Sequence, residues 1–276
     1  MSVVTFWGSG KEQVGKTLSV VAIATNMAIE HNKKILVISA SYNNDTLKNC
    51  YWSKETAKKT SMFRPQNEMM LDNGITGLAK MIQSNKVSPD VITNYTKIVF
   101  KDRLEILLGF EEKGLYSSEE VGRIYSEIVQ ISSKYYDMVF VDLDNEINEI
   151  GTNEILNHSD IVIAMTSQKV ASIQMMQQKK SELPPNKAIL LVGKYDKKSK
   201  YTIKNLTRMI GERKELLTIP YNTLYFEASQ EGNVADLFLR LRRIEDKNDG
   251  NAFFIEQVKK ASEEILKKIQ ENKHMR

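Results

Sequence analysis

Short, continuously apolar runs recur along this chain and alternate with longer amphipathic segments. Each run is rich in β-branched or aliphatic residues and has the length of one strand. The runs are residues 3–7, 35–39, 104–109, 138–142, 160–165, 188–193 and 216–220. Continuous apolar residues, rather than alternating ones, are typical of parallel strands that are covered on both faces. The pattern therefore predicts a buried, mostly parallel sheet.

Helix-length segments lie between these runs, at residues 17–30, 76–84, 118–133, 170–181 and 202–213. Strands that alternate with helices are characteristic of a doubly wound α/β fold, with helices on both faces of the sheet. Residues 42–75 are polar and rich in asparagine, which favours a loop with a short helix.

The end of the sequence has a different pattern. The polar segment 245–251 is typical of a linker, and a helix is predicted over 252–271. Apolar residues recur in that helix at spacings of three and four, with lysines beside them; they are Phe254, Val258, Ala261, Ile265 and Ile269. Such a stripe favours packing on the folded domain, and attachment to a membrane surface is the second interpretation. We therefore expect one domain over residues 1–245, followed by a linker and amphipathic helix over 246–276.

Composition narrows the classes of protein that the chain fits. The chain has 276 residues, of which 41% are hydrophobic and 27% charged, as in ordinary globular proteins. Its apolar runs are shorter than the roughly 20 residues that span a bilayer. The sequence begins without the features of a secretory signal, and a single cysteine, Cys50, permits no internal disulfide. We expect a cytoplasmic protein, with peripheral attachment to the membrane as the alternative.

The segment GKEQVGKT, residues 10–17, satisfies the phosphate-binding pattern G-x-x-x-x-G-K-[ST]. An apolar strand precedes it and a helix-forming run follows, which is the context that the pattern requires. The side chain of Lys16 would reach the terminal phosphates, and the Thr17 hydroxyl would bind magnesium. Backbone amides and the positive end of the helix would surround the phosphates. The residues concerned are Gly10, Lys11, Glu12, Gln13, Val14, Gly15, Lys16, Thr17 and Leu18.

Lys11 directly follows the first glycine, as in the deviant phosphate loop K-G-G-x-G-K-T of the MinD/ParA ATPases. Later segments, at 73–82, 136–144, 159–173 and 219–237, occur in the same order as that family's landmarks. The chain resembles the MinD/ParA family over residues 3–240 and, within it, the MinD-like branch that includes the CpaE/TadZ pilus-localisation proteins. The resemblance implies ATP and Mg²⁺ as ligands.

The resemblance also implies roles for individual residues. Lys11 would reach across a homodimer to the partner's nucleotide, so that two ATP molecules lie between two subunits. Asp142 would hold magnesium through water. Lys194 lies where the family places an asparagine or another base-contacting residue, and Pro220 with Tyr221 would border the adenine.

These roles divide the candidate residues into groups. Lys11, Lys16 and Asp142 are the candidate catalytic residues, and Thr17 and Asp142 are the candidate metal ligands. The nucleotide-binding set adds Lys194, Pro220 and Tyr221 to the loop residues.

Two departures from the family pattern bear on catalysis. Ser39 and Ser41 stand where the family commonly has two aspartates, the second of which orients the attacking water. A hydroxyl cannot accept a proton or offset charge as a carboxylate does. Glu12 adds repulsion beside the phosphates, and Gln13 is also bulky for this loop. We therefore expect nucleotide binding with hydrolysis that is slow, lost or dependent on a partner.

Asp45 and Asp144 are the acids that could replace the missing carboxylate, although solvated loop acids are the favoured interpretation of both. The sequence thus favours an ATP-dependent dimer that positions or recruits a larger cellular assembly.

The sequence also fits two alternative functions. One is a DNA-partition ATPase, because part of the net charge of +4 lies in basic clusters that would neutralise phosphates of nonspecific DNA. The clusters are Lys194, Lys197, Lys198, Lys200, Lys204 and Arg208, and then Arg240, Arg242 and Arg243. A solvated surface is the competing interpretation of these charges. The other alternative is a catalytically inactive scaffold.

Overall fold

The structure is a computed structural model that describes residues 1–8, 10, 13–42, 45–52, 74–84, 88–111, 114–144, 147, 149–184, 186–212 and 216–274. Lys11, Glu12 and most of the predicted loop 42–75 lie outside the described residues.

Within the described residues, eight strands form one sheet. They are β1 (Ser2–Gly8), β2 (Ile35–Ala40), β3 (Lys97–Phe100), β4 (Leu104–Leu107), β5 (Met138–Leu143), β6 (Ile161–Thr166), β7 (Ala188–Tyr195) and β8 (Leu217–Pro220). Their order is β3-β4-β2-β5-β1-β6-β7-β8. Neighbouring strands are parallel except at the edge, where β3 is antiparallel to β4. The predicted doubly wound, mostly parallel sheet is confirmed.

The helices cover both faces of this sheet. They are α1 (Lys16–Glu30), α2 (Asp45–Tyr51), α3 (Gly74–Gln83), α4 (Ser118–Ser132), α5 (Glu149–His158), α6 (Val170–Lys179), α7 (Ile203–Ile210), α8 (Thr223–Glu231), α9 (Val234–Leu241) and α10 (Ala252–His274). Short 3₁₀ turns occupy Pro89–Asn94 and Lys180–Glu182.

Two hydrophobic clusters, one on each face, explain why the strands are continuously apolar. In β1, Val4 and Phe6 pack into one cluster with α1, α2, α8, α9 and α10. Val3 and Trp7 pack into the other cluster, with α3 to α7. Successive strand residues point to opposite faces, so both sets are buried. The carboxyl ends of the parallel strands meet at one edge of the sheet, where an α/β fold places its ligand site.

Element ends differ from the predictions where local backbone geometry decides them. The predicted helix 202–213 ends at Ile210 because Gly211 adopts a left-handed conformation, with φ of 71°. The predicted helix 170–181 ends at Lys179 and passes into a 3₁₀ turn. The elements β3, α5, α8 and α9 are absent from the prediction, since each has ten residues or fewer and is too short to stand out from the loops around it.

The apolar stripe of α10 is buried. Phe254, Val258, Ala261, Ile265 and Ile269 are each at most 6% exposed, and the helix packs against β8 and α1. Among the described residues, no helix combines the length and the apolar character needed to cross a membrane.

A buried carboxylate lies near the side of the sheet that β3 and β4 form and stabilises the packing there. Glu105 of β4 is 6% exposed and accepts hydrogen bonds from Tyr136 Oη at 2.5 Å and Thr96 Oγ1 at 2.7 Å. Lys34 Nζ lies 3.6 Å from the Glu105 carboxylate and 4.0 Å from the centre of the Tyr135 ring. Desolvation lowers the pKa of Lys34, but Tyr135 and Glu105 outweigh it, so the pKa is raised overall. Burial, with a contribution from Glu105, also raises the pKa of Tyr136.

We expect Glu105→Gln to lower the free energy of unfolding by about 1–3 kcal/mol at pH 7, because it removes the charged partner of a buried network. Lys34 and Tyr136 both have a higher pKa in the folded state. Their contribution to stability is therefore complete at neutral pH and is lost as the pH rises above about 10. Urea unfolding from pH 7 to 11 measures both effects, and the variant should show the shallower alkaline loss. Glu127→Gln, on the exposed side of α4, is the control; equal stability of the two variants would contradict this role for Glu105.

Candidate nucleotide-binding site

The phosphate loop joins the carboxyl end of β1 to the first turn of α1, at the centre of the sheet. Gly15 has φ of 77°, a left-handed conformation that favours glycine. Val14 is buried and Gln13 is exposed, so the bulky Gln13 side chain does not occupy the interior. Gly10 lies under Met175 of α6: a Cβ at Gly10 would lie 2.1 Å from the Met175 sulfur. The loop is therefore closely packed from the side of α6.

The side chains of Lys16, Thr17 and Asp142 come together at the start of α1. Thr17 Oγ1 donates to Asp142 Oδ2 at 2.6 Å. Lys16 Nζ donates to the carbonyl of Leu143 and lies 3.4 Å from Asp142 Oδ1. Asp142 is 1% exposed, and its Oδ1 is buried without a hydrogen-bond partner among the described residues.

This donor set fits Mg²⁺. A hydroxyl and a carboxylate are oxygen ligands of the kind that the ion prefers, and Mg²⁺ commonly takes one or two protein ligands together with phosphate oxygens. A buried carboxylate oxygen without a hydrogen bond would gain a partner from a metal ion or its bound water. The structure thus brings three predicted residues, Lys16, Thr17 and Asp142, into one cluster.

Lys194 approaches the loop from β7. Its backbone has φ of 51°, an uncommon conformation for a residue with a side chain, at an irregularity in the pairing of β7 with β8. The stem of Lys194 passes over the loop, since a Cβ at Gly15 would lie 2.8 Å from Lys194 Cγ. Gly193, the preceding residue, lies even closer to the phosphate loop, since a Cβ at Gly193 would lie 2.0 Å from the Val14 carbonyl oxygen.

Pro220 ends β8 at the same edge of the sheet, and Tyr221 directly follows it. The Tyr221 N–H donates to the carbonyl of Tyr195, next to Lys194, at 3.0 Å. The Tyr221 ring is 55% exposed and lies 6.3 Å from the ring of Phe226. Tyr221 therefore offers an exposed aromatic surface at this edge, whereas the buried Pro220 offers none.

Ser39 and Ser41 are both buried at the end of β2. Their hydroxyl groups lie 2.8 Å apart, and Ser39 stands beside Asp142 in the register of β2 and β5. The Tyr125 hydroxyl holds the backbone of Ser41: it donates to the Ser41 carbonyl at 3.0 Å and accepts from the Ser41 N–H at 3.2 Å. A carboxylate introduced at position 41 would therefore be attached to buried backbone and would have little contact with water.

Asp45 and Asp144 take different places. Asp45 is exposed in the first turn of α2, whereas Asp144 is half-buried and its N–H donates to the carbonyl of Ala40 at 3.0 Å. Asp144 therefore lies closer to the ends of β2 and β5.

Two buried residues near the site, Tyr225 and Cys50, were not predicted. The Tyr225 hydroxyl of α8 donates to the Leu18 carbonyl at 2.6 Å and so ties α8 to the first turns of α1. Cys50 of α2 is buried, and this burial, with a contribution from Asp142, raises the pKa of its thiol to about 12. Neither residue belongs to a local motif, so only the fold brings them near the loop.

A loop with the phosphate-binding sequence pattern, placed after the central strand of a doubly wound sheet, is characteristic of the P-loop NTPase fold. The comparisons with solved structures refine this class. A ParA family ATPase from Chlorobium tepidum TLS is similar, with a TM-score of 0.67, 16% identity, and coverage of 96% of this chain and 98% of that one. The cell division ATPase MinD of Pyrococcus furiosus has a TM-score of 0.62 and 14% identity over 95% of this chain and 99% of its own.

A third similar structure is a putative plasmid partition protein from Borrelia burgdorferi bound to AMPPNP, with a TM-score of 0.60, 15% identity, and coverage of 94% and 97%. No family model and no curated protein matches the chain. The chain therefore has the MinD/ParA-type P-loop fold, as its motifs indicated. The narrower resemblance to the CpaE/TadZ branch stays a prediction.

The basic residues of the DNA hypothesis are exposed where the structure describes them; they are Lys194, Lys197, Lys198, Lys200, Lys204, Arg208, Arg240, Arg242 and Arg243. This exposure is compatible with DNA binding and with a solvated surface, and DNA binding stays a prediction.

Proposed function

We propose that this protein binds Mg-ATP at the phosphate loop, forms a homodimer with ATP, and positions or recruits a larger cellular assembly while hydrolysing ATP slowly. The cluster of Lys16, Thr17 and buried Asp142 at the amino end of α1 carries this proposal. The similar structures add support for the ligand, since one is bound to AMPPNP and a MinD of Pyrococcus horikoshii OT3 is complexed with Mg-ADP.

Each residue of the cluster has a separate task in this proposal. The Lys16 ammonium would neutralise negative charge on the terminal phosphates, and the amino end of α1 would bind phosphate oxygens. Thr17 and Asp142 would hold Mg²⁺, which neutralises phosphate charge during phosphoryl transfer. Lys194 would cover the nucleotide next to Gly15, and the Tyr221 ring would pack against the base. The dry, buried position of Asp142 strengthens these electrostatic interactions.

We expect wild-type protein to bind Mg-ATP and Lys16→Ala to bind it at least about tenfold more weakly, since the variant loses a charge-assisted contact with phosphate. Isothermal titration calorimetry measures the affinity. Lys33→Ala is the matched control, because Lys33 is an exposed lysine that precedes β2, at the edge away from the loop. Failure of both proteins to bind ATP, or equal affinity, would overturn the proposed function.

Exposed apolar side chains near the loop support a subunit contact at this edge. Ile150 at the start of α5 is 58% exposed, Val170 at the start of α6 is 41% exposed, and Met175 is 36% exposed. A dimer that encloses the nucleotide would cover them, together with Lys11, whose position lies outside the described residues. The resemblance to the MinD/ParA family supports this proposal, because it implies that Lys11 would contact the partner's nucleotide.

We expect Mg-ATP to shift the protein from monomer to dimer. Lys11→Ala or Ile150→Asp should weaken the dimer while the monomer still binds ATP, because a charge is removed from, or placed in, the subunit contact. Light scattering with and without Mg-ATP measures the mass. Ile98→Asp, at a side chain 60% exposed on the edge strand β3, is the control. An unchanged mass in saturating ATP would exclude the dimer.

A further inference from the structure

A cavity lies at the opposite edge of the sheet from the phosphate loop. Its volume is about 670 Å³, within the roughly 300–1,000 Å³ typical of small-molecule sites. Residues that begin β7 and β8 form its floor, which places it at the amino ends of these strands. The walls are one side of α10 and the 3₁₀ turn Lys180–Glu182.

The floor of this cavity is aliphatic. It consists of Ile189 and Leu217, on the face that α10 covers, and of Leu183, Ala188, Leu190 and Leu216, on the opposite face, so the cavity runs across the amino ends of the two strands. Ala188 and Ile189 are only half-buried, so hydrocarbon surface remains open to solvent at the bottom of a concave site. A ligand with an apolar body would remove this surface from water.

The rim is rich in lysine. Among the described lining residues, four lysines stand with three glutamates; they are Lys180, Lys260, Lys267 and Lys268, with Glu212, Glu264 and Glu271. Two of the glutamates already lie against lysines, with Lys180 Nζ 3.0 Å from Glu212 and Lys268 Nζ 3.8 Å from Glu271. Such partly exposed ion pairs are weak and can exchange partners. The rim therefore suits a negative group more than a positive one.

We propose that this cavity binds a small amphipathic anion, namely a free single-chain aliphatic carboxylate. The hydrocarbon chain lies on the floor formed by β7 and β8, and the carboxylate meets the lysines of α10 and of the 3₁₀ turn. The site is distinct from the phosphate loop and does not rest on the proposed function, so circular dichroism and thermal unfolding, rather than nucleotide binding, report whether each variant is folded.

Dodecanoate, kept below its micelle concentration, is the probe. Isothermal titration calorimetry should show saturable binding of one molecule per chain. Dodecyltrimethylammonium, with the same chain and the opposite charge, should bind at least about tenfold more weakly, because the lysine-rich rim discriminates by charge. Equal affinity for the two amphiphiles, or no saturable binding of dodecanoate, would overturn the proposal.

Two variants locate the bound molecule. Ala188→Trp should abolish binding by filling the floor, and Lys267→Glu, at an exposed position on α10, should weaken it about fivefold or more by charge reversal. Lys273→Glu, exposed on the same helix outside the cavity, should change affinity less than about twofold. If Lys267→Glu and Lys273→Glu behave alike, the molecule binds elsewhere.

A further comparison separates a free carboxylate from a lipid surface. Without dodecanoate, the protein should not sediment with vesicles that contain phosphatidylglycerol, because the apolar lining lies at the bottom of a concave site. Sedimentation of the protein with these vesicles that Lys267→Glu weakens would overturn the assignment to a free carboxylate.

Discussion

Gly193→Ala is expected to lower the free energy of unfolding by about 3 kcal/mol and Mg-ATP affinity by about tenfold or more. The added Cβ would lie 2.0 Å from the Val14 carbonyl oxygen and 3.2 Å from the Val14 carbonyl carbon. Both contacts are with backbone of the phosphate loop, which cannot move aside as the end of a side chain can. The carboxyl end of β7 and the loop must separate, and Lys194 would move away from Gly15.

Gly250→Ala is the matched control for this variant. Gly250 has no atom within 4 Å of an added Cβ and no left-handed conformation, so the same chemical change meets no obstacle there. Thermal and urea unfolding give the stability, and calorimetry gives the affinity. If Gly193→Ala retained the stability and affinity of Gly250→Ala, the close approach of β7 to the loop would be wrong.

The isolated protein is expected to hydrolyse ATP very slowly, although Lys16, Thr17 and Asp142 remain to bind phosphate and metal. Ser41 stands where a water-orienting aspartate is expected, and a positioned general base commonly contributes about a hundredfold or more to rate. If the missing carboxylate alone limits the rate, Ser41→Asp should raise turnover by about that factor. Ser41→Asn should not raise turnover, because an asparagine side chain has nearly the shape of an aspartate but carries no charge. If Glu12 and Gln13 also distort the loop, the increase should appear only when both are replaced by glycine.

Phosphate release at saturating ATP measures these rates for wild type, Ser41→Asp, Ser41→Asn, Glu12→Gly/Gln13→Gly and the triple variant. Unfolding of each protein must be followed as well, because a carboxylate at Ser41 is buried beside the Ser39 hydroxyl. Rapid turnover by wild-type protein that Lys16→Ala abolishes would contradict an impaired ATPase. It would direct attention to Asp144, which lies closer to the ends of β2 and β5 than the exposed Asp45.

The sequence predicts those parts of the fold that depend on local pattern. The central strands are apolar on both faces, so their runs stand out, and the loop at 10–17 is a contiguous motif. The grouping of Lys16, Thr17 and Asp142 also follows, because adjacent parallel strands bring their carboxyl ends together.

Features that depend on contacts between residues far apart in the sequence cannot be predicted from a local pattern. Tyr225 reaches Leu18 only through the fold. Glu105 is a charged residue in a buried strand, and its burial depends on Thr96, Tyr136 and Lys34 together. Ser41 could be recognised as a departure from the family pattern, but its burial against Tyr125 could not.

The packing of α10 on α1 has a consequence for folding. Helix α1 carries the phosphate loop at its amino end, and its residues from Ser19 to Ala28 are buried throughout. Helix α10 packs against α1 and provides part of this burial, although it lies more than two hundred residues later in the chain. Contacts between such distant segments carry a large loop-closure entropy and form late. During synthesis, the helix that bears the loop stays partly uncovered until residues 252–274 have left the ribosome, so a nascent chain without them should hold nucleotide poorly.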